Sequence, residues 1–203
     1  MDSPTVAWQD VNIKTFAQSL NQLVEDWDLS GIDIDGESSC SNFAETMITI
    51  AQECRAVMAS DKTMSYTCYT CSEQDKQILT AIKDICTTVT TMDYFDDFSA
   101  MINTAQFYAD IVGKNKVSIG VKPGVTPLSQ VAELGPAVIQ EGFKGIMLWS
   151  FDYDSSVYRE QKDWAWTDAV HKSLEVSSLS SFWISLWSPL ERLIWGADKS
   201  LRS

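Results

Sequence analysis

A chain of 203 residues with 45% apolar content is long enough for one domain with a real hydrophobic core. Its formal net charge of −13 argues against binding nucleic acid or an anionic membrane through bulk electrostatics. The five cysteines, Cys40, Cys54, Cys68, Cys71 and Cys86, are odd in number and scattered, which is no disulfide framework. The only histidine, His171, leaves a Ser-His-Asp or His-based metal centre without its parts.

Residues 1–10 are polar and expected to fray, with neither the basic start nor the apolar run of a signal peptide. Phe16, Leu20, Leu23, Val24 and Trp27 then recur at helical spacing, with Val11 and Ile13 leading in. A strand follows over residues 29–37. Asn42 or Ser41 is placed to cap a second helix, whose apolar face is Phe43, Met47, Ile50, Ala51 and Cys54. Met64 to Thr70 is β-prone, Gln77, Ile78, Ala81 and Ile82 suggest a turn or two of helix, and Ile85 to Tyr94 reads as a strand. Ser99 to Val112 is helical by pattern and stops at Gly113. Val117 to Val121 is a strand closed by Pro123-Gly124. Val131, Leu134, Val138 and Ile139 mark a helix ending at Gly142, residues 145–151 form a last strand, and Trp164 to Leu174 a final helix. Alternation of strand and helix implies a parallel sheet, and no Gly-rich phosphate loop follows any strand. Cys68-Tyr69-Thr70-Cys71 has no second pair or nearby His, sits at a strand end, and reads as incidental.

Asp33-Ile34-Asp35-Gly36-Glu37 organises the rest. In a strand, Asp33, Asp35 and Glu37 share one face, and Ile32 and Ile34 the other. Crowded carboxylates cannot all ionise cheaply, so at least one pKa should rise and the group should titrate as a coupled set. The same residues, taken from Asp26 to Glu37, also fit a twelve-residue calcium loop, with oxygen ligands at positions one, three and five, Gly at six and Glu at twelve. Position eight, apolar in such loops, is Asp33, and no second loop is found. That reading leaves the downstream strands unexplained.

The stretch Ser30-Gly31-Ile32-Asp33-Ile34-Asp35-Gly36-Glu37 resembles the signature of glycoside hydrolase family 18, the chitinases and endo-N-acetylglucosaminidases: Asp-Gly-x-Asp-x-Asp-x-Glu at the end of the fourth strand of a (β/α)8 TIM barrel. The first Asp is replaced by Ser30; the last three acids are intact. Met92-Asp93-Tyr94 resembles the family's Met-x-Tyr on strand six, although Phe95 stands before Asp96 where an acid or amide usually follows directly. Gly145-Ile146-Met147-Leu148-Trp149-Ser150 is similar to strand eight, whose Trp floors the sugar site. Singly, Met92, Tyr94 and Trp149 are ordinary core residues. Their spacing adds weight: Glu37 to Tyr94 is 57 positions and Tyr94 to Trp149 is 55. At about 31 residues per βα unit, each interval is two units.

The resemblance implies an α/β barrel with strands four to eight present over residues 1–175 and strands one to three missing, so that the expected chain is a fragment, a piece completed by another chain, or an inactive remnant. It implies substrate-assisted hydrolysis of β-1,4-linked N-acetylglucosamine in chitin or related glycans, an exception to the two-carboxylate rule. Glu37 becomes the general acid, Asp35 the partner of the acetamide N–H, and Asp33 the residue sharing its proton. Tyr94 becomes the donor to the acetamide carbonyl, and Trp149 and Met92 the sugar-binding floor. No metal or cofactor is implied. A non-catalytic chitin-binding homologue is the alternative, disfavoured by the presence of Glu37. Eight tryptophans suit sugar stacking but also a core. Residues 176–203 form a Trp-rich apolar extension, too broken for a spanning helix and expected to pack on the barrel or cover an edge. The compartment is left open; relatives are often secreted.

Overall fold

The computed structural model describes residues 11–37, 42–69, 71–155 and 162–175. Expectations for residues 1–10, Ser41, Thr70 and the 176–203 extension lie outside the described residues. The elements run α1 (Ile13–Asp26), β1 (Gly31–Asp35), α2 (Phe43–Val57), β2 (Thr63–Cys68), α3 (Glu73–Ile82), β3 (Thr88–Thr91), α4 (Phe98–Val112), β4 (Val117–Val121), α5 (Leu128–Glu141) and β5 (Gly145–Leu148). A sixth helix, α6, covers 165–175.

The five strands pair in sequence order, β1-β2-β3-β4-β5, all parallel. This is the consequence of a helix between every pair of strands, since a parallel neighbour needs a crossover. Alternation then sorts the side chains. Ile34, Met64, Tyr66, Cys68, Val89, Val117, Ile119 and Val121 are buried in the core that the helices cover. On the opposite face the register sets Asp35, Thr67, Thr90 and Ser118 side by side in one row across β1 to β4. One face of the sheet is thus aliphatic and the other is small and polar, as the period-two reading of β1 requires.

Helix ends are set locally. Asn12 accepts from the Thr15 amide at 3.2 Å and Asp97 from the Ala100 amide at 2.9 Å, each satisfying an amide the helix itself leaves free. Asn42 occupies the cap position of α2, but its side chain makes no capping bond. Gly142 closes α5 in the left-handed region at φ 77°, where a Cβ is costly. The buried carboxylate of Asp154 opens α6: it accepts from the Trp166 amide at 3.0 Å and the Thr167 amide at 2.7 Å. The Trp166 indole donates to the Thr126 carbonyl at 2.7 Å, tying α6 to the segment that follows β4.

Three sequence expectations are corrected. The strands are shorter than read: the ladders stop at Asp35, Thr91 and Leu148, not at Glu37, Tyr94 and Phe151. The calcium loop is not formed, because Asp26 closes α1 and Gly31–Asp35 lies hydrogen-bonded along β2. The Cys68–Cys71 pair does border a helix N-terminus, with Cys71 directly before the Ser72 cap of α3. Burial nevertheless pushes the Cys68 thiol well above its ordinary value, so it is no ready nucleophile.

Candidate active site

Residues that leave the ladder at the C-terminal end of a strand are free to turn side chains over the sheet. Glu37 follows β1, Met92 and Tyr94 follow β3, Lys122 follows β4 and Trp149 follows β5. Together with Asp33 and Asp35 they line a single cavity of about 490 Å³. All six site residues expected from the sequence are therefore brought together.

Glycines make the close approaches possible. A Cβ on Gly36 would stand 3.0 Å from the Met47 sulfur and from the Phe43 ring, both on α2. Asp35-Gly36-Glu37 therefore lies tight against α2 on one side while both carboxylates open to the other. A Cβ on Gly120 would come within 2.7 Å of the Tyr94 ring, so only glycine lets Tyr94 lie over β4. Thr126, fully buried, fixes the other side: its hydroxyl donates to the Tyr94 carbonyl at 3.1 Å and accepts from the Lys122 amide at 3.0 Å.

The acids occupy different environments. Asp33 accepts from the Ser65 hydroxyl and, at 3.1 Å, from the Thr67 hydroxyl, which in turn shares a 2.7 Å bond with Thr90. Asp35 has its carboxyl pushed up to about 6, by burial first, then by the charges of Glu37 and Asp33, and by a hydrogen bond with Glu37. Of the three acids Asp35, the middle one, is thus raised, by burial first and by the expected crowding second. Burial and the Asp35 and Glu37 charges hold the Tyr94 phenol far above its ordinary value, so it stays a neutral donor. Trp149 remains 49% exposed, with an indole face free to stack, and the Trp149–Ser150 peptide is cis. Neighbouring carboxyls, a neutral phenol and an open aromatic face can donate a proton, orient an amide and hold a ring. Among the described residues, no group of three or more His, Cys, Asp or Glu side chains is arranged to hold a metal ion.

Sequence reasoning missed the cavity's polar floor of Ser65, Thr67 and Thr90, its exposed rim of Tyr69 and Phe95, and the lysine on its wall, Lys122. The floor carried a signal, since period-two alternation from Tyr66 puts Ser65 and Thr67 on the face opposite the core. Lys122 carried one too: it directly follows a strand, as Trp149 does.

No family model matches the sequence, and no curated protein matches it. Solved structures do match. A chitinase from Bacteroides thetaiotaomicron is 12% identical, with a TM-score of 0.71 over 85% of this chain and 73% of that one. The catalytic domain of a hyperthermophilic chitinase from Pyrococcus furiosus is 15% identical, with a TM-score of 0.67 over 85% and 70%. An endo-beta-N-acetylglucosaminidase from Cordyceps militaris is 17% identical, with a TM-score of 0.65 over 80% and 62%. A mutant of that enzyme has been solved in complex with fucosyl-N-acetylglucosamine-Asn. At these identities the likeness is one of fold: the alternating, parallel α/β architecture is that of the TIM-barrel chitinases.

Proposed function

We propose that this chain carries the catalytic acids and the sugar floor of a retaining, substrate-assisted glycosidase that cleaves β-1,4-linked N-acetylglucosamine. The observation that supports it best is convergence. Three strand ends, separated by 57 and 55 positions, deliver Glu37 with its two neighbouring acids, Tyr94, and Trp149 to one cavity. Chitin chains and the N-glycan core both present the bond. The neighbours are named as a chitinase and an endo-beta-N-acetylglucosaminidase.

In this reading Glu37 protonates the glycosidic oxygen. The 2-acetamido oxygen attacks its own anomeric carbon, giving an oxazolinium intermediate, and Glu37 then takes a proton from the water that opens it. Asp35, as a carboxylate, accepts from the acetamide N–H and offsets the charge that develops on the oxazolinium. Asp33, held by Ser65 and Thr67, steadies Asp35 from the neighbouring row. Tyr94 donates to the acetamide carbonyl, and Trp149 with Met92 floors the distorted ring. No metal or cofactor enters.

The test is fluorophore release from a chitobiose conjugate. Glu37→Gln is expected to lose about a hundredfold or more of the turnover, the scale of a missing general acid, while still binding sugar. Near-wild-type turnover in that variant sinks the assignment. Two inactive proteins that both still bind chitooligosaccharide would instead identify a glycan-binding protein without hydrolysis.

A further inference from the structure

Among the described residues, Lys122 is the one cation lining a cavity that holds three carboxylates, on a chain of net charge −13. A lysine in such surroundings is expected to pair with an acid. Among the described residues it does not: no carboxylate lies within ion-pair reach of its ammonium group, which also has no hydrogen-bond acceptor. Aromatic faces hold it instead. The nitrogen lies 5.4 Å from the centre of the Tyr153 ring, 5.9 Å from Phe95 and 6.0 Å from Tyr94. Such contacts position a cation without using its N–H donors. Its backbone is pinned through Thr126, the residue that also pins Tyr94. Three donors are therefore presented on the β4 side of the cavity, with the acids across it on β1.

We propose that Lys122 is a specificity-determining residue that reads the acetylation of the sugar chain. Its ammonium donates to the carbonyl oxygen of an N-acetyl group and repels the ammonium of a deacetylated, glucosamine unit. This rests on the glycosidase reading for its substrate class. The physical need is plain. The chain's charge and the three carboxylates both draw in cationic amino-sugar polymers. Selection for acetylated chains then has to be local, and Lys122 is, among the described residues, the one charge of the right sign on the cavity wall. A hydrogen bond from a charged donor, together with the repulsion it replaces, is worth about tenfold in preference.

The experiment compares wild type, Lys122→Met, Lys122→Gln and Lys122→Arg. Binding of N-acetylglucosamine tetramer and of glucosamine tetramer is followed by tryptophan fluorescence, and hydrolysis is followed on chitosans of graded acetylation. The preference for the acetylated tetramer should fall about tenfold in Lys122→Met, fall by less in Lys122→Gln, whose amide still donates but repels no ammonium, and persist in Lys122→Arg, which keeps the charge. Lys122→Gln serves if the Met variant does not fold. An unchanged preference in a folded uncharged variant overturns the proposal, as does a wild type that binds neither tetramer. If wild type binds with a Lys122-dependent preference but hydrolyses nothing, the hydrolase reading fails and this one stands. If it hydrolyses with a preference indifferent to Lys122, the reverse holds.

Discussion

Asp93 and Tyr94 are neighbours in sequence, but only Tyr94 faces the cavity. Asp93 is 8% exposed; the Thr91 hydroxyl donates to one carboxylate oxygen, and the other is buried with no hydrogen-bond partner among the described residues. Burial outweighs the Thr91 bond and pushes the group from 3.8 up to about 6. Asp35 is raised to a similar value on the other side of the sheet. For both, the folded state binds the proton more tightly than the unfolded state does. Their contribution to stability is therefore greatest below pH 4 and is lost as pH rises towards 6. Asp93→Asn removes the buried charge. It should stabilise the protein at pH 8 by about 2 kcal/mol and have little effect at pH 4. Melting temperatures at the two pH values test this; an equal shift at both would show that charge is not the cause.

At the scale of elements, α3 shows what patterning can miss. Apolar periodicity begins to read as helix only at Gln77, yet the helix starts at Glu73 because Ser72 and Asp75 cap each other, with bonds of 3.1 and 3.2 Å. Ser72-x-x-Asp75 was visible in the sequence as a start signal. Asp75 also accepts from the buried Tyr108 hydroxyl at 3.0 Å, and that hydroxyl accepts from the Cys71 amide at 2.8 Å. The cap thus joins α3 to α4. Ser72→Ala should cost about 1 kcal/mol, and Asp75→Ala more, since it strands a buried hydroxyl. Denaturant midpoints measure both, and equal losses would mean that the Tyr108 bond contributes nothing. The strands erred the other way. Tyr94, Trp149 and Phe151 read as strand beyond Thr91 and Leu148 because aromatic residues suit a sheet, and Glu37 read as strand beyond Asp35 because it continues the alternation of acids, whereas those positions leave the ladder. The acid cluster and the two-unit spacings were legible because they are patterns; Lys122 offered only its place directly after a strand, a weaker signal.

For the molecule as a whole, protection should follow position in the sheet. All five residues of β4 are buried, with paired strands on both sides, while the four residues of β5 are only half-buried. β1 and β5 each pair on one side only among the described residues. Opening free energies run from near zero at frayed edges to the global value in the core. Amides of Ile119, Gly120 and Val121 should therefore exchange most slowly, and the amides of β1 and β5 that do not face a neighbour much faster. The acids ride on β1, whereas Tyr94 and Lys122 follow β3 and β4, so the acid wall of the cavity opens before the wall that carries Tyr94 and Lys122. Hydrogen exchange resolved by residue tests this order. If β1 proves as slow as β4, something pairs with its edge. Protection that grows with protein concentration would then identify a second copy, and protection independent of concentration a segment of the same polypeptide.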